Sequence, residues 1–485
     1  MSARPLGRAA LDAGPVDAAP PAAATGGPGA AASASPWPVV WVASVAVFLV
    51  SLDSTMLFAA FGALRAAFVD VSAAELSWVL NAYTVVFAAM LVPAGGAADR
   101  WGRRRIFLGG VAVFLIGSAA CGLAGSVEAL IAARVLQAVG AALLTPASLA
   151  IVLAAFPVHR RAVAVSLWGA VGGLAAALGP SLGAFVVEHA GWPWAFYLNL
   201  PLGALAVWRG ASILRESKRA EASARIDLVG MLLLIGAVGG LALGIVQADA
   251  PAWSRADVAL ALGFGAAALL GFVAWIRRAP APLVEPALFR HRSYRAANLA
   301  MLAFGTAFAI MFFAAFFYLT AVWHYSLPQA GLAVTPGPLL VMPTALVAGR
   351  LAARHGHRAL LVGGAAVFAA SGLWFMLVPG DEPHYLREWL PGLLMSGLGV
   401  GLTLSSLSAA AVARLPAEHY AVGSAVSQAT RQIGSVLGVA ITVLLVGHAG
   451  VQRADFALLY GIQVALGLLT AACCLAIDTR PRAPA

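Results

Sequence analysis

Residues 95–105 read Gly95-Gly96-Ala97-Ala98-Asp99-Arg100-Trp101-Gly102-Arg103-Arg104-Arg105, four arginines and an aspartate between two long apolar stretches. Charge is costly in hydrocarbon, so a short charged link of this kind marks a loop between membrane-spanning helices. The link has an echo. Gly349-Arg350-Leu351-Ala352-Ala353-Arg354-His355-Gly356-His357-Arg358 repeats its two glycines and two of its arginines, with Ala353 in the aspartate's place. A link that occurs twice implies a chain built of two like halves.

Composition agrees with a polytopic membrane protein. The 485 residues are 61% hydrophobic and 10% charged, with a mean hydropathy of +0.90; soluble domains carry about a quarter charged residues. Runs long enough to span a bilayer number fourteen, over 38–64, 76–98, 105–125, 128–155, 162–187, 193–214, 226–248, 256–276, 296–323, 329–350, 358–378, 389–413, 420–447 and 456–477. With the N-terminus inside, all but six of the 30 basic residues fall on the cytoplasmic side. Arg65, Arg255, Arg387 and Arg453 lie outside, and Arg134 and Arg431 lie within helices. The positive-inside rule fixes that orientation, and an even number of spans returns the C-terminus to the cytoplasm. The formal charge of +10 therefore reflects topology, and no nucleic-acid partner is expected.

Several function classes are excluded at this level. Lys218 is the only lysine and sits in Glu216-Ser217-Lys218-Arg219, so the chain holds no phosphate-cradling Gly-Lys-Ser/Thr loop. Cys121, Cys473 and Cys474 lie in apolar runs and suggest neither a disulfide framework nor a metal site. No His-Glu-x-x-His and no paired intramembrane carboxylates point to an enzyme. Gly179-Pro180-Ser181-Leu182-Gly183 fits the spacing of a nucleophile elbow, but it interrupts an apolar helix and lacks the strand that an elbow needs. Arginine in place of lysine, with heavy Ala and Gly usage, suggests a GC-rich bacterial genome.

The two links fall after the second and tenth spans, so the expected plan is six helices, two extra, then six. The expected domains are a disordered cytoplasmic tail over 1–36, a first bundle over 37–215, an inserted helix pair with its loops over 216–292, a second bundle over 293–478, and a short tail over 479–485. Parallel repeats of this sort place a substrate site at their interface near the midplane.

Four motifs lie on this frame. The first is Gly95-x-x-x-Asp99-Arg100-x-Gly102-Arg103-Arg104. The second, Arg134-Val135-Leu136-Gln137-Ala138-Val139-Gly140, sets an arginine in an apolar helix, where insertion costs about 2.5–3.5 kcal/mol and a charge usually marks function. The third is the run Gly169, Gly172, Gly179-Pro180 and Gly183, in which small residues permit close helix packing. The fourth is Trp192-Pro193-Trp194-Ala195-Phe196-Tyr197-Leu198-Asn199-Leu200-Pro201. Each has a bland counterpart: topology for the basic loop, snorkelling for Arg134, an interfacial aromatic belt for the tryptophans. Asp53, in Ser51-Leu52-Asp53-Ser54-Thr55, is the one acidic residue deep in any span.

Taken together the motifs resemble the major facilitator superfamily, and within it the fourteen-helix drug/proton antiporter branch, over residues 38 to 477. The resemblance implies a major-facilitator fold. It implies that Gly95, Asp99, Arg100, Gly102, Arg103 and Arg104 form a gating loop whose charges latch the two halves, and that Gly172, Gly179, Pro180 and Gly183 belong to the antiporter helix. It implies that Asp53 and Arg134 serve proton coupling. Gln137 and Arg431 are candidates for substrate contact or for the interface between halves. The sequence departs from the branch at Phe58 and Gly62, where Asn and Pro are usual, at Ala138 for glycine, and at Pro193 for arginine.

Protonation of a buried carboxyl responds to desolvation and to a nearby cation in opposite senses, so an aspartate whose surroundings alternate can carry a proton across. Helix arithmetic puts Asp53 and Arg134 at depths about 9 Å apart, which leaves their contact open. His324 and His448 sit at outer helix ends, as interfacial histidines commonly do. The expected function is proton-coupled export of a lipophilic small molecule, such as a drug, antibiotic or secondary metabolite, across a bacterial inner membrane. The protein would work as a monomer without a cofactor or metal, driven by the proton gradient. Uncoupled or symport-type transport of a small metabolite is the alternative. The span 329–350 has no acidic residue, so monocations or neutral compounds are expected before dications.

Overall fold

The computed structural model describes residues 36–156, 161–218, 227–248, 253–415, 420–447 and 451–477. The expected tails and His448 lie outside them, apart from residue 36. Among the described residues every regular element is helical. The first group comprises α1 (Trp37–Ala67), α2 (Ala73–Leu76), α3 (Trp78–Trp101), α4 (Arg103–Gly122), α5 (Val127–Ala155), α6 (Arg161–Ala190), α7 (Trp194–Tyr197) and α8 (Asn199–Ile213). Next come α9 (Leu228–Val246) and α10 (Arg255–Ile276). The last group is α11 (Arg292–Ala321), α12 (Leu327–Val334), α13 (Pro336–His355), α14 (Arg358–Leu377), α15 (Leu390–Val412), α16 (Tyr420–Val446) and α17 (Arg453–Cys474).

All fourteen expected spans fall on helices, and thirteen spans among the described residues are long and apolar enough to cross a membrane. The exception is 193–214, which is divided into α7 and the 15-residue α8. Pro201, in the first turn of α8, has no N–H to offer the Tyr197 carbonyl, and the helix is interrupted at Leu198. Capping sets other boundaries. The Ser254 and Ser326 hydroxyls each accept from the backbone three residues on, and Asp257 and Gln329 return the bond, starting α10 and α12.

The repeat is visible in backbone packing. Gly110 of α4 lies against Leu143 and Leu144 of α5, and Gly140 of α5 lies against Phe114 of α4. In the second group Gly364 of α14 lies against Leu402 and Thr403 of α15, and Gly399 against Phe368. The pairs correspond one to one. Likewise Gly203 of α8 meets Leu115, and Gly467 of α17 meets Ala369. Gly102 and Gly356, which end α3 and α13 within the two basic links, both have positive φ, 115° and 80°. These are backbone conformations that side chains disfavour, which is why glycine recurs there.

Two six-helix bundles result, with α9 and α10 between them in sequence. Gly240 against Gly265 brings these two into close contact. The Asp227 carboxylate caps α9 and accepts from Trp275 Nε1 and the Leu283 amide, each at 2.8 Å, tying the start of α9 to the end of α10 and the segment beyond it. The bundles meet through α3 with α16 and α6 with α12 and α13. At the end opposite residues 95–105, Phe58 and Phe61 of α1 pack on Phe312, Phe313 and Phe317 of α11. Gly331 of α12 sits directly on the Pro180 carbonyl and Ala184. The departure from the branch pattern at Phe58 thus falls at the contact between the bundles.

Candidate functional site

Asp53 lies midway along α1 and is 2% exposed; Arg134, two turns into α5, is 1% exposed. One Arg134 terminal nitrogen donates to Asp53 Oδ2 at 2.7 Å. The other carboxylate oxygen, Oδ1, accepts from Gln137 Nε2 at 2.8 Å and from Asn199 Nδ2 at 3.0 Å. Both carboxamides also donate to the Ser118 hydroxyl, at 2.7 and 3.3 Å. The anion is therefore met by donors from α5 and α8, and Ser118 of α4 braces them.

Arg134 has partners of its own. Its Nε donates to the Val79 carbonyl at 3.0 Å, a terminal nitrogen bonds Gln137 Oε1, and the guanidinium stands 4.0 Å over the Tyr83 ring. If Asp53 takes a proton, the cation keeps a carbonyl, an amide oxygen and a ring face. A buried charge stripped of its partner costs about 3–5 kcal/mol; these contacts lower that cost for the arginine.

The structure thus joins Asp53, Arg134 and Gln137. Gln137 is fully buried in the carboxylate cage, away from any surface that a substrate could reach in this state. Sequence reasoning missed Asn199 and Ser118. Asn199 stands in the fourth motif, whose aromatic residues dominate its reading, and its target is 146 residues away.

The basic loop makes a different set of bonds. Arg103 donates twice to Asp99 Oδ1, at 2.8 and 3.0 Å. Glu216, just past α8, accepts from the Arg104 and Arg105 amides at 3.1 and 3.2 Å, so a carboxylate caps the N-terminus of α4. Arg104 also donates to the Ala211 carbonyl at 2.6 Å, and the Arg103 amide donates to the Ser217 carbonyl at 3.0 Å. A side chain at Gly102 would collide with the Glu216 carboxylate. These bonds tie the loop to its own bundle, with Glu216 as a partner that sequence reading passed over. Arg100 is exposed and also has a partner.

On α6, Gly172 lies against Val47 and Ser51, Gly179 against Thr55 and Met56, and Gly183 against Met56. These three glycines set the closeness of α1 and α6. Gly169 faces open space. Ser181 lies within the helix, its hydroxyl donating to the Leu178 carbonyl at 3.3 Å. Arg431 lies on α16, in the other bundle, with Gln428 Oε1 at 3.4 Å from its Nε. His324 is exposed. Among the described residues no His, Cys, Asp and Glu cluster could hold a metal ion.

Two parallel-repeat bundles, one of which encloses a buried ion pair, define a secondary membrane transporter. A profile of the Major Facilitator Superfamily matches residues 43–317 and 296–485, and the chain belongs to that family. It is similar to the tetracenomycin C resistance and export protein of Streptomyces glaucescens, 34% identical over 421 residues, 86% of this chain and 77% of that one. It is 32% identical over 409 residues, 84% of each chain, to the cephamycin export protein CmcT of Amycolatopsis lactamdurans. A D-xylose-proton symporter superposes with a TM-score of 0.66 at 15% identity, covering 90% of this chain and 97% of that one; the likeness is one of fold.

Proposed function

We propose that this protein is a proton-coupled exporter of lipophilic small molecules, working by alternating access. The observation that carries the reading is the closed cage around Asp53, in a chain whose relatives include antibiotic export proteins. Asp53 is the proton site. Arg134 holds the carboxylate when it is charged and falls back on Val79, Gln137 and Tyr83 when it is neutral. Solvent does not reach the pair while the Phe58–Phe312 end is packed, so proton exchange with each side requires the bundles to rock. The end carrying residues 95–105 is cytoplasmic, as are both termini. The protein acts as a monomer in a bacterial inner membrane, performs transport and no enzymatic step, and takes its energy from the proton gradient without a cofactor.

The test uses proteoliposomes with an imposed pH gradient. Adding substrate to the native chain moves protons, and Asp53→Asn binds the substrate while proton movement is lost. Unchanged coupled transport in Asp53→Asn would place the proton site elsewhere. Substrate flux without proton flux in the native chain would make it a uniporter.

A further inference from the structure

Asp53 and Arg134 neutralise one another inside the first bundle, which leaves Arg431 as the charge set well inside a helix of the second. No described carboxylate pairs with it. It lies eleven residues into α16 and is partly exposed. The face it occupies is defined by what covers the others. Thr430, Gly434 and Gly438 meet Asn298, Leu302 and Thr306 of α11. Ile433 and Val436 pack with Val85 and Ala89 of α3 and Val238 of α9. Between these faces runs a stripe of Ser424, Gln428, Arg431 and Ser435, spaced four, three and four residues apart and at least partly exposed throughout. An arginine-bearing stripe is costly against lipid and almost always faces the bundle interior or a water-filled cavity.

Aromatic surface lies beside it. The Arg431 backbone rests on Gly305 of α11. Phe308, partly exposed, and Phe312 stand about one and two turns beyond Gly305, toward the packed end of the molecule. Their rings are 5.8 Å apart, and Phe312 meets Phe58 of the other bundle at 5.3 Å. A cation at one level and a wall of rings above it complement a flat molecule with an acidic end. The deep Asp53 carboxylate, by contrast, is sealed in its cage and cannot meet a cationic ligand.

We propose that Arg431, assisted by Gln428, is the anion-recognising end of the substrate site, and that the transported compound is a lipophilic aromatic acid. Its carboxylate or phenolate meets the guanidinium while its rings lie against Phe308, Phe312 and Phe58. The proposal rests on the transport reading and replaces the monocations and neutral compounds expected from sequence with acids. A charge-assisted hydrogen bond of this kind is worth roughly ten-fold or more in affinity.

The experiment measures binding to the full chain in lipid nanodiscs, with empty nanodiscs correcting for partition. The probes are anthracene-9-carboxylate, its neutral carboxamide and the 9-aminomethyl cation. The native chain is expected to bind the carboxylate about ten-fold tighter than either other probe. Arg431→Gln removes that preference while keeping the carboxamide affinity, and Arg431→Lys retains most of it. A native chain that prefers the cation overturns the proposal. So does an Arg431→Gln chain that weakens carboxylate and carboxamide equally, because the arginine would then be structural. Binding needs no proton gradient, so carboxylate selectivity without coupled export supports the anion site and sinks the export reading. Coupled export of the cation without carboxylate selectivity does the reverse.

Discussion

Removing the Arg134 guanidinium leaves the Asp53 carboxylate buried with only two amide donors, whereas Asp53→Asn leaves the cation with a carbonyl, an amide oxygen and a ring. Arg134→Met is therefore expected to destabilise the protein by about 3–5 kcal/mol and Asp53→Asn by clearly less. The double variant should recover part of the larger loss, read from thermal unfolding in detergent as a double-mutant cycle. Asn199→Ala deletes one donor to a charged acceptor and should cost about 1.5–3 kcal/mol in the same assay. Asn199→Asp, which sets a second carboxylate against the first, should cost more at neutral pH. Asp53 and Arg134 were legible individually, because a charge in an apolar helix stands out. Their contact was not, since depth counted along straight helices ignores tilt and the reach of an arginine side chain. Asn199 was hidden because a neutral carboxamide near a helix start looks unremarkable until the carboxylate it serves is placed beside it.

Helix contacts in this fold are set where backbones touch, and glycines mark those places unequally. Gly140 of α5 lies on the Phe114 backbone of α4, whereas Gly169 of α6 meets nothing. Gly140→Val is expected to lower stability by about 1–3 kcal/mol, the usual cost of overpacking, while Gly169→Val should be close to neutral, both read by thermal unfolding. All the glycines belong to a chain in which small residues abound, so sequence could not rank them. Span positions were readable because an apolar run of sufficient length is a strong signal, and the break at Leu198 was missed because hydropathy is blind to the missing N–H of Pro201. The basic loop was recognised by its pattern, yet its partner Glu216 was passed over; an acid beside Lys218 and Arg219 reads as part of a charged loop until folding brings it to the start of α4.

Across the whole molecule, the contact of Gly331 with Pro180 and Ala184 and the rings of Phe58, Phe61 and Phe313 hold the bundles together at one end. If transport requires that end to part, joining it should stop the cycle. Ala184→Cys with Gly331→Cys, in a background free of the native cysteines, is expected to abolish transport on oxidation and regain it on reduction; persistent transport in the cross-linked protein would show that this end need not open. The six-plus-two-plus-six plan was legible from the repeated link set against the fourteen apolar runs, because glycines and arginines recur at matched positions after the second and tenth of them. The inequality of the halves was not. Matching glycine pairs place Leu393 and Ser396 opposite Arg134 and Gln137, and Gln463 opposite Asn199. Counting from Thr55 and Thr306, which sit against corresponding glycines of α6 and α16, places Phe304 opposite Asp53. The second bundle keeps a carboxamide, with Gln463 3.5 Å from the Ser371 hydroxyl, but at Phe304, Leu393 and Ser396 it has no charges to pair. If Asp53 is the proton site, a duplicated ancestor has in effect divided its labour, leaving energy conversion to one copy and freeing the other to drift. Chimeras that exchange the second bundle among relatives should accordingly inherit the cargo of the donor and the engine of the host.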